Sequence, residues 1–278
     1  MLLIKNLLPS RSPDMHKGVR GRLLVAGGSK HYPGAPALSS LAALRTGAGV
    51  ITLLSNKFAC SSCAARIPEI VYQIENDKSK WADYVLSENN FNALIAGMGL
   101  ERSEAAQEFI VKIWNEWHKK LLIDGDGLFA LAENQDSLNL RNDAVITPHE
   151  GEAARLLRTT PNEIHSNREY AVKELSKKWG CVVLKGHGTL IKSFNNEKIF
   201  HVNYGGAELS VPGSGDVLAG CIGAFLAMGL EILDAAILGA TIHGMAGDFL
   251  RNSQGIDGIL ASEIANTLQK IINRIRNE

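Results

Sequence analysis

Between residues 23 and 184, short apolar runs alternate with longer stretches of helical periodicity, and this alternation most narrows the folds open to the chain. The runs Leu23–Ala26, Val50–Leu54, Ala93–Ala96, Leu121–Ile123, Ala144–Ile146 and Val182–Leu184 are too short for stable helices. They are also apolar throughout, as strands buried on both faces are. Between them lie helical patterns at Ala35–Thr46, Ser103–Trp117, Glu150–Leu157 and Ile164–Trp179. Such an order requires parallel strands joined by crossover helices. After Lys185 the pattern changes: Leu190–Ser193 and Lys198–Val202 read as a hairpin across Phe194-Asn195-Asn196-Glu197, and three helices follow near Ser214–Met228, Ile232–Leu250 and Ala261–Arg276. No linker or internal repeat divides the run. The expectation is a single α/β domain over 1–278, doubly wound, with a mostly parallel central sheet flanked by helices on both faces.

Composition limits what such a domain binds. Lys plus Arg equals Asp plus Glu, 29 of each, so no net field attracts nucleic acid or an acidic membrane surface. A small molecule is the expected partner. Lys5 interrupts the apolar start and no cleavage pattern follows it, which speaks against a signal peptide. The longest uncharged stretch, Val217–Leu230, is shorter than a membrane span and reads as a buried helix. Cys60, Cys63, Cys181 and Cys221 are too few for a disulfide framework in a chain this long, and Cys60-Ser61-Ser62-Cys63 lacks the second pair of a zinc site. A cytoplasmic protein with incidental thiols fits them.

In a doubly wound sheet, ligands sit beyond the carboxyl ends of the strands, and there the glycines and charges of this chain fall. The first strand leads into Gly27-Gly28-Ser29, which is neither a dinucleotide fingerprint nor a P-loop, and then reaches Gly34-Ala35. The third ends at Gly97-Met98-Gly99, where two glycines permit close approach of a ligand or of a neighbouring strand. Asp124-Gly125-Asp126-Gly127 follows the fourth and suits metal or hydroxyl contact, or a turn capped by Asp126. Thr147-Pro148-His149-Glu150-Gly151-Glu152 follows the fifth: Thr147 or His149 can start the next helix, His149 can meet a substrate, and Glu152 can reach the metal and water layer around phosphates. Lys185-Gly186-His187-Gly188-Thr189 follows the sixth, as a phosphate clasp or a simple turn.

The segment Val211-Pro212-Gly213-Ser214-Gly215-Asp216 precedes a helix. Free N–H groups and the helix dipole make such a start an anion site, with Gly213, Ser214 and Gly215 placed to stabilise a phosphoryl group. Asp216 is out of place beside a phosphate unless it accepts a proton from an attacking hydroxyl. As an ordinary cap, Ser214 or Asp216 would merely close the helix.

Taken together, TPHEGE, KGHGT and GSGDVLAG at these distances resemble the ADP-dependent NAD(P)H-hydrate dehydratases of the ribokinase-like superfamily. His16-Lys17-Gly18, Gly21, GGS, Gly97-Met98-Gly99, Asp124-Gly125-Asp126, His243-Gly244-Met245-Ala246-Gly247-Asp248 and Ala261-Ser262-Glu263-Ile264 extend the likeness over nearly the whole chain. The resemblance implies a repair lyase that phosphorylates the ring hydroxyl of the S epimer of hydrated NADH or NADPH and eliminates phosphate. NAD(P)H, AMP and phosphate would be the products when ADP is the donor, ATP being the alternative donor. It further implies Asp216 as general base, and Ala35, Gly99, His149 and Asp216 around the hydrated ring. Lys185, Gly186, His187, Gly188, Thr189 and Gly215 would hold the nucleotide, and Mg²⁺ would sit on the phosphates with Glu152 in its outer shell. A homo-oligomer, perhaps a tetramer, is implied too. Because the motifs begin almost at the first residue, the companion epimerase is expected on another protein.

The chain departs from the pattern before GSGD, where the family commonly has Gly-Asn-x-Gly-Met and this sequence has Gly205-Gly206-Ala207-Glu208-Leu209. Met98 stands where proline is frequent. His243, in an apolar stretch, and Cys221 are expected to be structural, and Trp114 and Trp117 to pack rather than stack on bases. Two other functions share these motifs: a kinase for a hydroxymethylpyrimidine, thiazole or sugar alcohol, which would leave a stable phosphorylated product, and a nucleotide-binding regulator without turnover.

Overall fold

The computed structural model describes residues 2–12, 14 and 17–278, so that His16, quoted above, lies outside the described residues. In chain order the elements are α1 (Leu2–Leu7), β1 (Arg22–Ala26), α2 (Gly34–Thr46), β2 (Val50–Ser55), α3 (Lys57–Ala64), β3 (Val71–Ile74), α4 (Trp81–Ser87), β4 (Ala93–Ala96), α5 (Glu104–Glu116), β5 (Lys120–Ile123) and α6 (Asp126–Glu133). They continue with β6 (Ala144–Ile146), α7 (Glu150–Leu157), α8 (Pro161–Ser166), α9 (Arg168–Trp179), β7 (Cys181–Leu184), β8 (Thr189–Ser193), β9 (Phe200–Val202), α10 (Ser214–Ala227), α11 (Ile232–Gln254) and α12 (Ala261–Asn277). The strands form one sheet in the order β3-β2-β1-β4-β5-β6-β7-β8-β9. β1 to β7 pair in parallel, and β8 and β9 add antiparallel at one edge.

Strand periodicity divides the core. Leu23 and Val25 of β1, with Ile95, Leu122, Val145 and Val183, pack towards α2, α10, α11 and α12. Leu24, Ala26, Leu94, Ile123 and Val182 pack on the opposite face with α4, α5, α6, α7 and α9. The Val217–Leu230 stretch falls in α10 as far as Ala227, where the helix ends; it is apolar almost all round and correspondingly buried, as a helix without a polar face must be. It packs so closely on α2 that a Cβ at Gly220 would collide with the Ser39 carbonyl. Trp114 and Trp117 are buried, Trp114 meeting Trp179 edge to face with centroids 5.5 Å apart. None of the described helices is long and apolar enough to cross a membrane.

Two expectations about elements are corrected. The helix Ile164–Trp179 is two: Thr160 accepts from the Glu163 N–H while the Glu163 carboxylate accepts from the Thr160 N–H, a capping box that starts α8 early at Pro161. Asn167, at φ −139°, then breaks the backbone before α9. Asp126 likewise stands in the first turn of a helix, α6, rather than in a plain turn. The strand order reverses between β1 and β4, where the loops leaving their carboxyl ends diverge and open a crevice.

Candidate active site

Two cavities meet over the carboxyl ends of the strands. The smaller, about 670 Å³, occupies the crevice at the reversal and is lined by Ala35, Gly99, Glu101, Glu152 and Asp216, among others. The larger, about 790 Å³, lies over β7 and β8, against the loop entering α10, with Lys185, Gly186, His187, Thr189, Ser214 and Gly215 in its wall. Consecutive residues Gly215 and Asp216 thus open on different cavities.

α10 starts without a side-chain cap: Gly213, at φ +88°, is the N-cap residue, and neither Ser214 nor Asp216 closes the helix. The N–H groups of Gly215 and Asp216 lie in the first turn and have no intrahelical acceptor. Ser214 is buried, its Oγ 3.2 Å from His243 Nε2. His243 fits the structural reading in being buried, yet it also lines the larger cavity. Burial pushes its pKa down to about 4, so the imidazole is neutral at physiological pH.

The floor of the site is a charge network. Lys185 Nζ donates to Asp124 Oδ1 at 2.9 Å and stands 3.6 Å from Glu152 Oε2, while Thr147 Oγ1 donates to the same Asp124 oxygen at 2.7 Å. Burial works against the Lys185 charge, but Asp124, Glu152 and Asp216 outweigh it and raise the ammonium above the ordinary lysine range. Asp216 is pushed up to about 7, first by burial and then by the Asp124 charge, with Lys185 opposing. A carboxylate so placed can take a proton from a hydroxyl near neutral pH and return it without a large penalty.

The surrounding loops are held by Arg168, which no feature of the sequence singles out, and by residues whose partners lie far along the chain. Arg168, on α9, donates from Nη2 to the Leu184 and Gly188 carbonyls and from Nη1 to Glu150 at 2.6 Å, supporting the Lys185–Thr189 loop from behind. Any side chain at Gly186 would run into that guanidinium. Asp126 accepts from the Glu101 N–H at 2.9 Å and from Arg102 Nε at 3.1 Å, pinning the loop after β4. Gly99 there has φ +60°, which excludes most residues, and a Cβ would come within 2.7 Å of Tyr32. No local spacing signals Arg168 or Thr147, because each acts across the fold.

Of the residues expected around a substrate ring, Ala35, Gly99 and Asp216 line the smaller cavity together, whereas His149 lines the larger one. His149 Nδ1 accepts from the Gly151 and Glu152 N–H groups at 3.0 and 3.3 Å, so the ring caps α7 with its proton on Nε2. Glu152 completes the capping box, taking the His149 N–H at 2.8 Å. Gly188 and Gly213 shape the loops without lining either cavity. Cys60 and Cys63 are buried free thiols whose pKa burial raises to about 11 and about 12, leaving no thiolate character.

Comparison with known proteins places the chain in a family. A sequence model of the NAD(P)H-hydrate dehydratase family matches residues 23–270. Over 99% of its length the chain is 37% identical to the ADP-dependent (S)-NAD(P)H-hydrate dehydratase of Neisseria meningitidis, covering 92% of that protein. It is also 37% identical, over 97% of its length, to the bifunctional NAD(P)H-hydrate repair enzyme of Escherichia coli, of which it spans 51%, about half. The ADP/ATP-dependent NAD(P)H-hydrate dehydratase of Bacillus subtilis, co-crystallised with ATP and Mg²⁺, superposes with a TM-score of 0.88 at 26% identity, covering 98% of this chain and 96% of that one. By fold, motif order and these matches, the chain belongs to the NAD(P)H-hydrate dehydratase family.

Proposed function

We propose that the protein restores NADH and NADPH from their hydrated S epimers, with ADP as phosphoryl donor and ATP as the alternative. One observation carries this reading: Asp216, with a pKa near neutrality, faces the crevice cavity while its neighbour Gly215 faces the cavity of the N–H-rich loops. A hydroxyl in the first and a phosphoryl group in the second would meet across this one residue pair. Asp216 takes the hydroxyl proton as the oxygen bonds to phosphorus and the bond to AMP breaks. The N–H groups at the start of α10 and the Lys185 ammonium offset charge on the transferring group. The ring nitrogen then expels phosphate, a far better leaving group than hydroxide, and loss of a proton from the adjacent carbon restores the dihydronicotinamide.

Ala35 and Gly99 leave room for the ring, and the Lys185–Thr189 loop takes the adenine nucleotide, with His149 at the border of the two sites. Among the described residues no group of three or more His, Cys, Asp and Glu side chains converges as a metal cage. That donor set fits a magnesium ion bound largely through its nucleotide: Glu152 would hold it through water, and the ion would supply neutralisation of phosphate charge there. The protein acts in the cytoplasm as a homo-oligomer, a tetramer in this reading, and an epimerase activity supplies the S epimer.

The test is to incubate the protein with hydrated NADH, Mg²⁺ and ADP or ATP while following the dihydronicotinamide absorbance. Recovery of absorbance with release of phosphate is expected. A stable phosphorylated product would favour the small-molecule kinase reading, and nucleotide binding with no turnover on any hydroxyl substrate would favour the regulator.

A further inference from the structure

The wall of the larger cavity opposite Lys185 is the segment between β9 and α10, with Gly206, Ala207, Leu209 and Pro212 among its lining residues. This segment runs directly into Gly213 and the start of α10, so its position sets both the cavity width and the approach to Gly215. Apart from one short turn of 3-10 helix at Ala207–Leu209 it has no regular structure, and something else must fix it.

Glu208 does so from behind. Its side chain is 0% exposed, and neither cavity includes it among its lining residues. One carboxylate oxygen accepts from the Gly206 N–H at 2.6 Å; the other faces Arg251 Nη1 of α11 at 3.4 Å. Arg251 is itself oriented by Asp248, 2.7 Å from its Nη2. Glycines on α11 make room for the contact: a Cβ at Gly247 would lie 3.1 Å from the Glu208 carboxylate and 2.7 Å from Leu209, and one at Gly244 would lie 2.5 Å from the Tyr204 carbonyl. A carboxylate buried this fully is tolerable only while both oxygens are paired. The pairing therefore fixes the loop to the helix at one distance.

We propose that Glu208 is a positioning residue for the donor nucleotide: by tying residues 204–212 to α11 through Gly206 and Arg251, it holds the larger cavity at the width the nucleotide needs. This rests on the assignment of that cavity to the nucleotide. A glutamine of the same shape would keep the bond to Gly206 but set an amide N–H₂ against the guanidinium, donor to donor, and release the segment.

The experiment compares wild type with E208Q, R251M and R251K. It measures the Kd for ADP with Mg²⁺ by calorimetry, KM for hydrated NADH, the pH profile of kcat, and Tm. The expected result is a rise of roughly tenfold in the ADP Kd, about 1.4 kcal/mol, for E208Q and R251M. R251K should stay within about threefold of wild type because it keeps the charge, and KM for the hydrate and the pH profile should not move. An ADP Kd within about twofold of wild type in both E208Q and R251M overturns the proposal, as does a Kd that rises in step with the hydrate KM while Tm falls. Should E208Q not fold, R251M, altered on the half-exposed side of the pair, decides alone. If wild type binds ADP and the variants weaken it as stated, yet no hydrate is dehydrated, the dehydratase reading fails and the role of Glu208 stands.

Discussion

Replacing Asp216 by asparagine should make the protein more stable and nearly inactive, and the stability gain should depend on pH with a fixed sign. Burial and the Asp124 charge lift the Asp216 carboxyl from the ordinary 3.8 to about 7. Below pH 4 both the folded and the unfolded chain hold the proton and nothing is lost. Between 4 and 7 the folded chain keeps a proton that the unfolded chain has released, so stability falls as pH rises; above 7 the full penalty applies. About three factors of ten in proton affinity at about 1.4 kcal/mol each set a ceiling of about 4 kcal/mol. Water reaching a side chain that lines a cavity lowers this to roughly 1–3 kcal/mol. Asn keeps the shape without the charge. At pH 8 D216N should therefore melt higher, by about 2–4 °C per kcal/mol, and at pH 4.5 the gain should shrink to about a quarter of that. Turnover should fall on the order of a hundred- to ten-thousandfold with ADP affinity retained. Thermal melts at the two pH values, in the same salt, with kcat on hydrated NADH, test this together. A stability gain equal at both pH values, or a loss at pH 8, would refute the reasoning.

Other changes separate the two cavities and their frame. K185M leaves Asp124, 3% exposed, facing Glu152 and Asp216 without a cation, and should cost about 3–5 kcal/mol in a denaturant titration. The same variant should move the rise of rate with pH upward from about 7, because the one charge opposing protonation of Asp216 is gone. G99A forces a Cβ against Tyr32 at φ +60° and should raise KM for the hydrate about tenfold or more with ADP binding unchanged, read by kinetics and calorimetry. G220A pushes α10 off the Ser39 backbone; it should lower stability by about 1–3 kcal/mol and weaken both ligands together, in contrast to G99A.

Much of this was legible in the amino-acid order, for reasons that particular residues show. The central strands announce themselves because burial on both faces leaves only apolar side chains, as in Leu23–Ala26 and Ala93–Ala96. β3 does not, because Val71–Ile74 lies at the edge with exposed and half-exposed positions and a polar Gln73. α3 carries cysteines and serines without a clear apolar stripe, and its Asn56 cap is a local bond that no apolar periodicity marks. The GSGD start was readable because its chemistry is local. Arg168 behind the Lys185 loop, and Thr147 and Lys185 on Asp124, were not, since they meet only after strands far apart in sequence become neighbours. The ring of His149 shows the same limit: its residue type suits a ligand contact, but its Nδ1 is already engaged by the backbone of its own helix.

The contact between α2 and α10 has a mechanical consequence. α2 begins beside Ala35, against the smaller cavity, and α10 begins against the larger; the Ser39 hydroxyl donates to the Asp216 carbonyl at 2.9 Å, and Gly220 lets the two backbones touch. Two helix ends joined in this way act as a fixed gauge, with one cavity at each jaw. Neither helix can slide to suit a substrate of different size without breaking that contact. Adjustment is left to the outer segments, residues 28–33 on one side and 204–212 on the other, so the range of molecules admitted can change through those loops while the spacing of the two cavities stays the same.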